Sequence, residues 1–214
     1  MKYTHYLFDF DGTLMDSMDT VVSSVLRVLD DNGITYGKDL VKVLIPLGLG
    51  GVADYYIENF GLKMEKEQII SLMREYMLYG YFNTIQPKSN VVSVLKELKA
   101  GGASLNILTA SPHVTVDACL ARLEMTDLFD NVWSCEDFAT TKANPKLYGM
   151  AAEKMGAATQ SILFLDDNPD AVIVAKSSGM PVCGVYDSYS QDYKEQIQST
   201  ADYYIHDFKE LLAL

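Results

Sequence analysis

Tyr6-Leu7-Phe8-Asp9-Phe10 is apolar except for Asp9, and Asp11-Gly12 follows at once. A short apolar run closed by an Asp-Gly pair reads as a buried strand ending in a tight turn. Strand side chains alternate, so Asp9 and Asp11 point to the same side of the strand end. Two carboxylates that close repel each other unless a cation or a shared proton lies between them. The pair therefore suggests a divalent metal with oxygen ligands. A calcium loop of the EF-hand type is excluded. Its sixth and twelfth positions need Gly and Glu, and here they are Leu14 and Thr20. Asp-Gly turns after strands are common, so the rest of the chain has to decide what this one does.

From about Asp16 to Gln86 the pattern is helical. Val21, Val22, Val25, Leu26, Val28 and Leu29 recur at helical spacing, and Gly33 is a plausible stop. Further helical stretches fit Asp54–Asn59 and Glu67–Tyr79, and no strand is convincing in this block. After Pro87 helices and strands alternate. Val91–Leu98 reads as a helix closed by Gly101-Gly102, and Ser104–Leu108 as a strand. Ser111-Pro112 looks like an N-cap with proline in the first turn, opening a helix to about Leu123. Asn131–Ser134 is a strand candidate, and Asn144-Pro145 opens a helix to about Met155. Ser161–Leu165 is a strand, and Asn168-Pro169 caps a helix ending near Gly179. Val182–Val185 is a further strand, and Phe208–Leu212 a short terminal helix. Apolar strands alternating with amphipathic helices imply an α/β fold, its parallel sheet covered on both faces. The helical block is then an insertion after the first strand. Functional groups in such a sheet belong at the carboxyl ends of the strands.

Composition narrows the function classes. The chain has 214 residues and a formal net charge of -12. No Lys/Arg cluster supplies the basic face of a nucleic-acid binder. The acidic balance repels anionic membranes and, absent a metal, anionic substrates. No uncharged apolar stretch reaches the roughly 18 residues of a membrane span, and no signal peptide is visible at the N-terminus. Cys119, Cys135 and Cys183 lie far apart and read as reduced thiols, so a cytoplasmic location is expected.

Three more features lie where strands end or helices begin. The Thr109 hydroxyl and the backbone N–H groups of Ala110 and Ser111 precede a helix N-terminus, a natural anion site. Lys142, just before Asn144-Pro145, could neutralise a phosphate as a point charge, with Lys146 as its competitor. Asp166-Asp167 follows the apolar run Ile162–Leu165, and buried carboxylates there call for a compensating partner such as a metal.

Acid pair, hydroxyl, lysine and second acid pair thus occur in order. With that order the sequence resembles the haloacid dehalogenase superfamily. Asp9-Phe10-Asp11-Gly12-Thr13-Leu14-Met15-Asp16-Ser17 matches its first motif at every fixed position. Ile107-Leu108-Thr109 matches the second motif. Lys142 with Pro145-Lys146-Leu147-Tyr148 resembles the third, and Leu165-Asp166-Asp167-Asn168 the fourth. The pattern departs at Ala143, where the family usually has proline, and at Lys146, where an acid is common.

The resemblance implies a Rossmann-like catalytic core, residues 1–15 and 87–214, with an all-helical cap domain, residues 16–86. It implies an Mg2+-dependent phosphatase acting on a small phosphorylated metabolite. Asp9 would be the nucleophile and Asp11 the general acid and base. Thr109, Ala110, Ser111 and Lys142 would hold the phosphoryl group. Asp9, the backbone carbonyl of Asp11, and Asp167 would hold magnesium, with Asp166 close by. Dehalogenases in the superfamily lack the second acid, so Asp11 argues for phosphate chemistry. The beta-phosphoglucomutases are the rival reading. They carry a histidine where this chain has Val21 and an arginine where it has Gly51. The stretch Leu47–Gly51 looks instead like a glycine-rich loop of the phosphoglycolate phosphatase branch. A non-catalytic binding module is the remote alternative, and the filled acid positions argue against it. The oligomeric state is not visible in the sequence.

Overall fold

The computed structural model describes residues 2–44 and 47–214. By internal contacts the chain divides into two compact units, Met1–Asp16 with Gln86–Leu214, and Ser17–Ile85.

The first unit is an α/β layer structure. Its six strands are β1 (His5–Phe8), β2 (Ser104–Thr109), β3 (Asn131–Ser134), β4 (Ile162–Asp166), β5 (Val182–Val185) and β6 (Tyr203–Ile205). They form one sheet in the order β3-β2-β1-β4-β5-β6, parallel at every pairing. Helices α5 (Val91–Ala100), α6 (His113–Arg122), α7 (Lys146–Met155), α8 (Pro169–Ser177) and α9 (Lys194–Thr200) supply the crossovers. Every residue of β4 and β5 is buried, which is why these strands are apolar except for Asp166 at the end of β4. Leu7, Leu108, Phe164, Ile162 and Val182 share one core with Leu147, Tyr148 and Val172 of the helices. Tyr6 and Phe8 stack 5.9 Å apart, and Phe208 lies 6.4 Å from Phe8.

The strand order places the site. The chain runs outward from β1 through β2 to β3, then returns to the other side of β1 as β4. The order therefore reverses at β1 and β4, and the crevice at such a reversal opens at the strands' carboxyl ends. Residues 9–11 and 166–167 emerge there. The two crossings to the inserted segment are tied together beside it. Asp16 N–H donates to Gln86 O at 2.9 Å, and Lys88 N–H to Leu14 O at 2.9 Å.

The second unit contains, among the described residues, α1 (Met18–Asp31), α2 (Leu40–Leu44), α3 (Gly48–Phe60) and α4 (Lys66–Asn83). Its core joins Val25, Val28, Leu29, Val52, Tyr56, Ile69 and Met73. Tyr56 packs its ring there and donates its hydroxyl to Val25 O at 2.9 Å. Helices α1 and α4 approach closely at Gly80, where a Cβ would lie 2.3 Å from Thr20 Cγ2.

Several local expectations need correction. Ser111 is not an N-cap: the cap position of α6 is Pro112, and no side chain bonds there. The Ser111 hydroxyl has a stronger acceptor elsewhere, described below. The Leu47–Gly51 stretch is not a loop, because Gly48–Gly51 begin α3 and packing overrides glycine's low helix propensity. The short terminal helix expected at Phe208–Leu212 is present as a 3-10 helix, Phe208–Ala213. Strand β6 and helices α2 and α9 are short and carry weak periodicity, so the sequence does not announce them. At Asn168 the expectation holds: its side chain accepts from Asp170 N and Ala171 N, with Pro169 in the first turn.

Candidate active site

Asp9 stands one residue past β1, and its N–H still donates to Leu165 O at 2.9 Å. Asp166 ends β4 and Asp167 follows it. One carboxylate oxygen from each of Asp9, Asp166 and Asp167 lies within 4.8 Å of the others. Among the described residues, no other group of three metal-ligating side chains comes together in this way. All three acids are buried, and Asp166 is fully inaccessible. Lys142, from the loop before α7, reaches in between them. Its Nζ lies 2.5 Å from Asp9 Oδ1 and 2.8 Å from Asp166 Oδ2. The second oxygen of Asp166 accepts from Asn168 N at 2.7 Å, so both oxygens of Asp166 are engaged.

One ammonium does not balance three buried carboxylates. Burial raises the Asp9 pKa to about 7; Lys142 pulls it down, and Asp166 pushes it up again. Burial likewise lifts Asp167 well above the carboxylate range, with the charges of Asp166, Asp9 and Asp187 adding to it. Burial disfavours the Lys142 ammonium too, but Asp166 and Asp9 outweigh that and hold its pKa above the usual lysine range. Oxygen-only donors with excess negative charge suit a hard divalent cation.

Asp11 takes a different place. Its carboxylate is outside the three-acid group and accepts the Ser111 hydroxyl, Oγ to Oδ2, at 2.6 Å. Thr109 ends β2 and is 1% exposed, and its Oγ1 accepts from Ser111 N at 3.0 Å. The Ser111 N–H, expected at an anion, is thus used within the turn, and its hydroxyl is used on Asp11. Ala110 is exposed on that turn. Of the sequence-derived candidates, Asp9, Lys142, Asp166 and Asp167 form one cluster. Asp11, Ser111 and Thr109 form a second hydrogen-bonded set.

Three residues near the cluster lie within the quoted motifs but had no role assigned from sequence. Gly12 has φ +73°, and a Cβ there would lie 2.6 Å from Asp167 Oδ2. The position needs glycine for both backbone conformation and close approach. Thr13, fully buried, donates its hydroxyl to Asp167 Oδ1 at 2.8 Å. The Tyr148 hydroxyl lies 3.1 Å from Lys142 O and 3.2 Å from Ala171 O and shares its one proton between them, steadying the backbone that carries the lysine. The Asp-Gly turn was a signal for Gly12. Thr13 and Tyr148 lie within the first and third motif stretches, but which groups they bond shows only in the fold. His113 begins α6, where its Nε2 meets Asp137 Oδ2 at 2.8 Å.

Comparison with known proteins fits this geometry. Residues 6–185 match the family model described as haloacid dehalogenase-like hydrolase. A phosphoglycolate phosphatase of Yersinia pestis is 25% identical over 200 residues, covering 90% of this chain and 84% of that protein. Pyrophosphatase PpaX of Bacillus velezensis is 27% identical over 187 residues, covering 86% and 83%. The crystal structure of a predicted phosphoglycolate phosphatase from Haemophilus somnus superposes with a TM-score of 0.83 at 24% identity. It covers 100% of this chain and 98% of that one.

Proposed function

The chain belongs to the haloacid dehalogenase-like hydrolases, and on that premise we propose that it is a phosphoric monoester hydrolase of small phosphorylated metabolites. The observation that carries this reading is the buried cluster of Asp9, Asp166 and Asp167 around Lys142, with Asp11 beside it. A phosphate ester needs positive charge and a positioned nucleophile more than it needs covalent help. The relatives named phosphoglycolate phosphatase and pyrophosphatase support phosphate chemistry.

Asp9 is the nucleophile in this reading. Its carboxylate oxygen bonds to phosphorus, the bond from phosphorus to the ester oxygen breaks, and Asp11 gives its proton to the leaving alcohol. Asp11 then takes a proton from the water that attacks the aspartyl-phosphate. Inorganic phosphate leaves and the Asp9 carboxylate is restored. Lys142 balances charge on the phosphoryl oxygens, and Asp166 holds Lys142 in place through the 2.8 Å pair. Thr109 and the Ala110 N–H hold the phosphoryl group from the other side, while Ser111 is engaged with Thr109 and Asp11. Asp9, the Asp11 backbone carbonyl and Asp167, with Asp166 beside them, would hold Mg2+. Bound there, it supplies the positive charge that a chain of net charge -12 lacks.

The helical unit Ser17–Ile85 serves as the substrate-selecting cap in this proposal. Val21 and Gly51 stand where mutases place sugar-orienting groups, so water is the acceptor. The test is release of inorganic phosphate from 4-nitrophenyl phosphate and a metabolite panel, with and without Mg2+. Isomerisation of a hexose phosphate with little phosphate released would favour a mutase, and no turnover of any ester a binding module.

A further inference from the structure

We propose that Ser111 is a positioning residue for Asp11, aiming the carboxyl that exchanges protons with the leaving group. The inference rests on the phosphatase reading above. The 2.6 Å distance from Ser111 Oγ to Asp11 Oδ2 is that of a strong hydroxyl-to-carboxylate bond. A hydroxyl has one proton to donate, so while Ser111 gives it to Asp11 it cannot give it to a phosphate. Ser111 is itself held. Its N–H donates to Thr109 Oγ1 at 3.0 Å, and Thr109 is buried at the end of β2. Strand β2 is in register with β1, Phe8 opposite Ile107. Beyond that pairing the two segments meet through side chains, Ser111 Oγ on Asp11 Oδ2. The hydroxyl therefore comes from a point fixed by the sheet. Asp11 stands on the turn after β1, bridged to Met15 and followed by Gly12 at φ +73°.

The catalytic consequence follows from geometry. Proton transfer requires the carboxyl within hydrogen-bond reach of the ester oxygen. The Ser111 proton stays on Oγ throughout, and only the orientation of Asp11 depends on it. A leaving alcohol from an alkyl ester needs the Asp11 proton as its bond to phosphorus breaks. The 4-nitrophenolate anion is stable near neutral pH and leaves without one. Losing the Ser111 hydroxyl should therefore hurt alkyl esters far more than 4-nitrophenyl phosphate.

The experiment compares wild type, Ser111→Ala and Ser111→Thr on 4-nitrophenyl phosphate and on the best alkyl phosphate of a metabolite panel. The readout is kcat/KM, which covers events up to departure of the leaving group. For Ser111→Ala the alkyl ester should lose roughly 10- to 100-fold, part of what a general acid contributes. The nitrophenyl ester should lose less than about threefold, and Ser111→Thr should restore most of the alkyl rate. Equal losses on both esters would overturn the inference and return Ser111 to holding phosphate or to the fold alone. If Ser111→Ala does not fold, Ser111→Cys decides, since its weak donor keeps the volume and should show the same split. No phosphate release from wild type on any ester would instead sink the phosphatase reading, and this inference with it.

Discussion

Asp9→Asn should abolish turnover and, in metal-free protein, make the fold more stable. The amide keeps the carboxylate's size but cannot attack phosphorus. The stability effect follows from burial. Asp9 is 7% exposed, and its pKa rises from the ordinary 3.8 to about 7, with burial the largest cause. The folded chain thus holds a proton that the unfolded chain has released. Stability falls as pH rises from about 4 and levels off above about 7. At roughly 1.4 kcal/mol per pH unit, that is about 4 kcal/mol lost by pH 8 and about 2 by pH 5, as orders of magnitude. Asparagine has no proton to lose and escapes the loss. The attraction of Lys142 is already inside the raised value, so it does not reverse the sign. Removing the Asp9 charge also relieves Asp167, which Asp9 pushes upward. Guanidinium unfolding in chelator, followed through Trp133, reports on the α/β unit; the chain has one tryptophan. The gain of Asp9→Asn over wild type should grow from below pH 5 to pH 8. A variant less stable than wild type at pH 8 would refute the electrostatic account, and one that keeps a tenth of the activity would refute the nucleophile.

Chelation should remove activity and Mg2+ restore it, while Ca2+, which takes more ligands, should inhibit. Full rate in excess chelator removes the metal from the mechanism. Gly12→Ala should cost about 1–3 kcal/mol in backbone strain at φ +73° and displace Asp167, dropping kcat well below wild type; crystallography or unfolding curves showing no change would contradict this. Tyr148→Phe leaves the carbonyls of Lys142 and Ala171 without their hydroxyl donor. It should cost about 1–3 kcal/mol by urea unfolding and lower kcat/KM. Glucose 1-phosphate should yield inorganic phosphate or nothing, and not glucose 6-phosphate, with or without a bisphosphate primer; coupled dehydrogenase assay decides.

How much was legible in the sequence varies with the range of the interaction. Asp9-Phe10-Asp11-Gly12 announced a strand, a turn and an acid pair because strand alternation and Asp-Gly chemistry are local. Asn168-Pro169 announced a helix start for the same reason, since the cap bonds only to Asp170 and Ala171. Ser111-Pro112 misled, because the hydroxyl's best acceptor, Asp11, is 100 residues away in the chain. Burial also separates Asp166 from Asp167: alike in sequence, one spends its oxygens on Lys142 and Asn168, the other takes Thr13.

Local rules in the sequence by itself determined most strands and helices of an α/β chain, though not β6, α2 or α9, together with the helical stretch after β1 and the residue types of the site. Only the tertiary structure decided the pairings. Sheet order β3-β2-β1-β4-β5-β6 sets Asp9 beside Asp166 and Asp167, and adjacent β1 and β2 end where Asp11 meets the Ser111 hydroxyl. Charge partners, proton partners and the room for a Cβ at Gly12 are distances between segments far apart in the chain, and only packing fixes such distances.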